Sequence, residues 1–246
     1  MRLYGKNPII ERLRSNPASI KKIYLQEGFN DAGYIYKKAK QSGIPVILSH
    51  KSKLLKLARN TNTQGILADV DDFIYVPYDE LLETASQKKR TLVFLDSLND
   101  PQNLGAILRS LACLGHFSVV LPSHESVEIT ETVLRVASGG ENHVPVAKVP
   151  NLVNAIKSAK EAGFSIAGTV VSGGQPLEET KLPFPLGLVI GSEQKGIRDV
   201  IRKHLDLELS ITMYLDRLSF NVAQAATIFC YEIKKQTINY KNQKNG

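Results

Sequence analysis

The sequence predicts an α/β protein in two parts: a small basic α/β module, then a larger, mostly parallel sheet with helices on both faces. Three observations lead there. Short apolar runs alternate with helical patterns along nearly the whole chain, the rhythm of strand–helix–strand units. The stretch 92–115 joins an apolar run (Leu92 to Leu95) through a polar turn (Asp96, Asp100, Pro101) to a helical pattern in which Leu104, Ile107, Leu108, Leu111 and Leu114 recur at three- and four-residue steps. Charge is also uneven: residues 1–60 carry 13 Lys and Arg against 3 Asp and Glu, whereas 61–246 carry 18 against 21.

Taken in order, 7–15 reads as a short helix with Asn7 as cap and Pro8 at its first position. Residues 20–26 alternate like a strand, 31–42 form a basic helix ended by Gly43, 44–49 a strand, 51–59 a second basic helix and 65–70 a strand. Lys37, Lys38, Lys40 and Arg59 lie on these two helices, suited to contacts with phosphates. From Asp71 to Arg90 hydrophobic density falls, with one helix expected near 78–87. We divide the chain into 1–75, a linker at 76–90, a second domain at 91–238 and a flexible tail at 239–246. After the opening strand–turn–helix of the second domain come strands at 117–122, 144–149, 164–171, 186–191 and 207–212. Helices are expected at 129–137, 151–162 and 197–203, and a last one begins at Asn221.

Composition narrows the class. The chain has 246 residues, 43% hydrophobic and 22% charged, and no apolar run approaches the roughly 20 residues of a membrane span. Its N-terminus carries no signal-peptide pattern, so a cytoplasmic protein is expected. Cys113 and Cys230 sit inside apolar helical patterns without a CxxC partner and are expected to be small buried hydrophobes. The five histidines lack metal-ligand spacing, and no metal site is expected. A basic front end on a nearly neutral remainder points to a polyanion, with nucleic acid favoured over a merely solvated basic face.

Four polar turns follow strands of the second domain, at 96–103, 171–176, 191–196 and 212–221. In a parallel sheet the carboxyl ends share one edge, so these turns are expected to converge. None is a GxxxxGK[ST] phosphate loop and none opens with GxGxxG, which argues against nucleotide hydrolysis and a Rossmann dinucleotide site. Taken alone, the turn at 96–103 reads equally as site or as scaffold, with Asn103 helping to start the helix and Arg109 on a solvated face.

Three segments together resemble the SpoU/TrmH family of RNA 2′-O-ribose methyltransferases, in the SPOUT class. The first holds Asp96, Asp100-Pro101, Asn103, Gly105 and Arg109-Ser110. The second is Leu188-Val189-Ile190-Gly191-Ser192-Glu193 with Gly196, and the third Ile211-Thr212-Met213 followed by Ser219-Phe220-Asn221-Val222-Ala223. Residues 3–70 resemble the family's small substrate-binding domain, itself similar to certain ribosomal proteins. The resemblance implies a trefoil-knotted C-terminal domain, a homodimer, S-adenosylmethionine as cofactor and RNA as partner. Ribosomal RNA with a guanosine target is favoured; a tRNA methyltransferase and a catalytically silent RNA-binding homologue stand as alternatives.

By the same resemblance, Thr169, Gly191, Ile211 and Phe220 contact the cofactor, and Asn103, Arg109, Glu193, Ser219 and Asn221 carry the chemistry. An arginine side chain stays protonated across the physiological range, so Arg109 is expected to bind a phosphate and favour the developing alkoxide rather than act as base. Asn103 and Asn221 are expected to orient by hydrogen bonds, and Glu193 to hold Arg109 or relay the proton. The chain departs from the family pattern at Thr212 and Leu215, where proline and glycine are usual. A leucine at 215 is expected to crowd the cofactor or shift its loop.

Overall fold

A computed structural model describes residues 1–58, 62–193, 195–215 and 217–244, with the backbone alone at 239–244. The first unit runs β1 (Arg2–Tyr4), α1 (Lys6–Ser15), β2 (Ile20–Gln26), α2 (Ala32–Gln41), β3 (Val46–Ser49), α3 (Lys51–Leu57) and β4 (Ile66–Val70). Its sheet is ordered β1-β4-β2-β3, antiparallel except for the β2–β3 pair. Strand β1 was not expected, because three residues are too few to show a period. Helix α1 starts one residue before the expected Asn7 cap. Gly5, at φ 101°, makes the bend that glycine tolerates, and the Gln64 side chain accepts the Lys6 backbone N–H at 3.1 Å.

The second unit runs α4 (Tyr78–Gln87), β5 (Thr91–Leu95), α5 (Pro101–Leu114), β6 (Phe117–Pro122), α6 (Glu131–Ala137), β7 (Val146–Val149), α7 (Leu152–Glu161), β8 (Ser165–Thr169), β9 (Gln175–Pro176), β10 (Leu186–Ile190), α8 (Asp199–Arg202), β11 (Leu207–Ser210) and α9 (Val222–Lys244). Its seven strands are all parallel, in the order β7-β6-β5-β10-β8-β11-β9. Alternation along β5 sorts the core. Leu92 and Phe94 face the cluster under α4 and α7, whereas Val93 and Leu95 face the cluster under α5, α6 and α9. Helix α4 lies within the stretch read as linker, yet it buries Leu81 and Ala85 against the large sheet. Helix α9 runs to Lys244, into the stretch read as a tail.

The cysteine expectation holds for Cys230, which is fully buried so that its thiol pKa is pushed up, but fails for Cys113. Cys113 is exposed because it lies off the 104–107–108–111 stripe of α5, on the helix's outer face. Among the described residues no helix is long and apolar enough to cross a membrane.

Candidate functional site

Strands β5, β10, β8 and β11 stand side by side and point the same way, so the turns leaving them meet at one sheet edge. Register sets their ends level: Leu95 pairs with Ile190, Val189 with Gly168 and Thr169 with Leu209. Here a cleft of about 660 Å³ opens, with Thr169, Gly191, Ile211 and Phe220 in its lining and Glu193, Ser219 and Asn221 among its polar groups. Ile190, Val222 and Phe229 add apolar surface.

At the rim a chain of polar side chains forms, centred on Asn103. Asp100 caps α5, accepting the Gln102 N–H at 2.8 Å, so Asn103 is not spent on starting the helix. The nearly buried Asn103 amide instead donates to the Glu193 carboxylate, while Asn221 Nδ2 donates to Asn103 Oδ1 at 3.1 Å. Asn221 is itself fixed by the start of α9: its Oδ1 accepts the Ala223 N–H at 2.8 Å, and Gln224 Oε1 accepts the Asn221 N–H at 3.2 Å. Three side chains from three motifs thus join in one hydrogen-bonded chain, Glu193–Asn103–Asn221.

The turn carrying Glu193 is closed at both ends. Ser192 and Gly196 exchange backbone hydrogen bonds at 3.2 and 2.9 Å, and a Cβ on Gly191 would stand 2.1 Å from the Gly196 carbonyl carbon. Downstream, Asp96 holds Arg198. One oxygen accepts its backbone N–H at 2.9 Å and the other its Nε at 2.8 Å. Asp96 is fully buried and ties the turn after β5 to the turn after β10. Sequence reading used it only as a motif match and passed over Arg198. The available signal was an acid ending a wholly apolar strand, where a charge needs a partner.

Arg109 stands apart. It lies six residues beyond Asn103 on α5, about 9 Å further along the axis and on another face. It is exposed, lies outside the cleft lining, and makes no hydrogen bond or ion pair among the described residues. Of the two roles expected for Glu193, holding Arg109 or relaying the proton, the first finds no contact among the described residues; its partner is Asn103, because the first turn of α5 faces the β10 turn and the second does not. Ser219 is exposed at the cleft. Lys37, Lys38 and Lys40 lie on α2, and Arg59 falls outside the described residues.

The departures at Thr212 and Leu215 do not narrow the cleft, since neither lines it. Thr212 lies beside the Glu178 carboxylate and holds its pKa below the usual range, and Leu215 is 42% exposed. Among the described residues no group of His, Cys, Asp and Glu is placed to hold a metal.

Comparison with known proteins bears on both units. The model of the SpoU rRNA Methylase family matches residues 90–231, and that for RNA 2′-O ribose methyltransferase substrate binding matches 2–76. An uncharacterised tRNA/rRNA methyltransferase of Synechocystis sp. is 36% identical over 239 residues, 95% of this chain but 62% of that protein's length. A 23S rRNA (guanosine-2′-O-)-methyltransferase of Neisseria meningitidis is 34% identical over 98% of this chain and 97% of its own. Among solved structures, the AdoMet-bound rRNA methyltransferase of Sinorhizobium meliloti superposes with a TM-score of 0.78 at 22% identity, covering 95% of this chain and 86% of that one.

Proposed function

Because the chain belongs to the SpoU rRNA methylase family, we propose that it transfers a methyl group from S-adenosylmethionine to a ribose 2′-hydroxyl of RNA, with a guanosine of 23S ribosomal RNA as the favoured target. The observation that carries this reading is the hydrogen-bonded chain of Glu193, Asn103 and Asn221 at the rim of a cleft lined by the expected cofactor residues. Residues 1–75 are the RNA-capturing part and 91–238 the transfer part.

The cleft suits the cofactor on its own terms. Its 660 Å³ falls in the range of small-molecule sites, and Ile190, Ile211 and Phe229 give a flat purine apolar surface. The turn 191–196, too tight for a side chain at 191, offers backbone polar groups instead. Thr169, Gly191, Ile211 and Phe220 are the residues that hold the group. When bound, S-adenosylmethionine supplies an electrophilic methyl on a sulfonium.

The chain supplies the acceptor side. Arg109 lies outside the cleft of its own chain, so in this reading it is at the partner's cleft of the proposed homodimer that it engages the phosphate beside the target ribose and favours negative charge on the attacking oxygen. Asn103 and Asn221 orient the hydroxyl from a fixed network, and Ser219 presents a further hydroxyl at the rim. The Glu193 carboxylate, one oxygen of which accepts from Asn103, receives or relays the hydroxyl proton. Alignment of the oxygen with the methyl provides much of the acceleration. A homodimer, a knotted chain and a cytoplasmic location complete the reading. The exposed Tyr214 and Leu218 beside the cleft support the first, and the insertion of β10 between β5 and β8 supports the second.

The test is direct. Methyl-labelled S-adenosylmethionine is incubated with the protein and with ribosomal RNA and tRNA from cells lacking it, and ribose methylation is mapped by resistance to alkaline cleavage. One 2′-O-methyl site in 23S RNA is expected; label on a base, or none, refutes the proposal, and label in tRNA alone moves the substrate.

Capture has its own prediction. Lys37 and Lys40 are exposed on α2, and neither they nor Lys38 form an ion pair among the described residues. Reversing all three to glutamate is expected to weaken RNA binding and lower the slope of log affinity against log salt by about 2. An unchanged slope would mean the helix is only a solvated face.

A further inference from the structure

The two units are joined by more than a connecting segment. Leu3, Ile9 and Leu13 of the first belong to the same continuous apolar cluster as Leu108, Leu134 and Ala137 of the second. Across this seam Arg12 of α1 meets Glu141, which sits in a helical turn (Gly140–Asn142) after α6; Nη2 and Oε1 are 2.9 Å apart and the side chains are 5% and 0% exposed. Around the pair, the Arg2 N–H donates to Glu131 at 2.7 Å, His143 Nε2 lies 2.8 Å from Glu11 Oε1, and the Arg135 guanidinium lies over the Tyr4 ring at 5.7 Å.

The turn bearing Glu141 is wedged between the two units. A Cβ on Gly139 would fall 2.4 Å from the Glu11 Cβ of α1. A Cβ on the next residue, Gly140, would fall 2.9 Å from the Cα of Arg109 and 3.1 Å from the Leu108 carbonyl oxygen. Two glycines therefore let α1 of the RNA-capturing unit and the Arg109 turn of α5 approach one short segment from opposite sides. Glu141, next in that segment, reaches back to Arg12.

Stability alone is a poor account of this pair. Buried ion pairs repay little of their desolvation, and here Arg12 Nε and Glu141 Oε2 are buried without a hydrogen-bond partner among the described residues. What a directional buried pair adds over an apolar contact is geometric register. We propose that Arg12 and Glu141 are positioning residues that fix where RNA held by the first unit meets Arg109, a role that rests on the RNA methyl-transfer reading above. The pair touches neither cofactor nor reacting atoms.

The experiment uses the full chain and replaces the pair with apolar side chains, Arg12→Met/Glu141→Leu, which keeps the seam filled. Turnover at saturating RNA and cofactor, both affinities, and the distance between nitroxide labels at exposed Cys113 and at a cysteine placed at Lys53 are measured; buried Cys230 takes no label. Turnover is expected to fall on the order of tenfold or more with both affinities within about twofold of wild type, since small misplacements far from the chemistry are costly. The label distances are expected to broaden. Wild-type turnover in the folded double variant, or a loss explained by weaker binding, overturns the proposal. Should that variant not fold, Glu141→Gln keeps the shape and an acceptor for Arg12, and is expected to show the same split at smaller amplitude; its absence is equally decisive. If the wild-type protein methylates no RNA, the functional reading fails by itself, and an unchanged distance distribution then overturns the clasp.

Discussion

Arg109→Ala is expected to lower methyl transfer by at least about a hundredfold while leaving the fold and cofactor affinity nearly unchanged. The chemistry requires negative charge to build on a ribose oxygen next to a phosphate, and in the proposed site the free cation of α5 answers both. Its surroundings make the experiment clean. Arg109 is exposed and, among the described residues, has no ion-pair or hydrogen-bond partner, so truncation strands no buried group. Such surface changes usually alter stability by about 0.5 kcal/mol or less. Nor does Arg109 line the cleft, so cofactor calorimetry should read as wild type. Arg109→Lys keeps the charge but loses the planar fork for phosphate oxygens, and is expected to recover only part of the rate. Single-turnover transfer at saturating RNA and cofactor is the measurement; near-normal turnover in the alanine variant would remove Arg109 from the mechanism.

What the sequence disclosed follows from the range of the interactions involved. Apolar periods are local, so the alternation of strands and helices, the strand ends that carry the four turns, and the basic character of α2 were legible. The residues of the three motifs were legible too, but their contacts were not. Asn103 meets Glu193 across 90 positions and Asn221 across 118, and spacing along the chain carries no trace of either. The same limit hid Arg198 behind Asp96, 102 positions away, and Arg12 behind Glu141, 129 away. The Glu193–Arg109 contact, one of the two roles expected for Glu193, is missing for a local reason, since six residues along a helix turn a side chain to another face. Gln64 capping α1 and the outward phase of Cys113 are smaller cases in which tertiary packing overrode a plausible local reading.

In the proposed site, the cofactor side is expected to depend most steeply on Gly191. An alanine methyl there would lie 2.1 Å from the Gly196 carbonyl carbon, 2.3 Å from the Ile197 nitrogen and 2.4 Å from the Gly196 oxygen, all backbone atoms that no side-chain rotation relieves. Nor can the turn move as a unit. Upstream it continues β10, paired on both sides by β5 and β8, and downstream Arg198 is held by buried Asp96. The turn must open in place, at the expense of the Ser192–Gly196 hydrogen bonds, each contributing about 1 kcal/mol net. Those two bonds and about 1–3 kcal/mol of crowding make about 3–5 kcal/mol, which converts to a loss of cofactor affinity of roughly a hundredfold to a few thousandfold. The strands beneath are untouched, so circular dichroism at ambient temperature should match wild type. Gly33→Ala, on α2 with nothing within 4 Å of its added Cβ, serves as the control and should bind the cofactor normally. If Gly191→Ala binds S-adenosylmethionine as tightly as that control, the group does not sit against the 191–196 turn, and Thr169, Ile211 and Phe220 lose their assigned role with it.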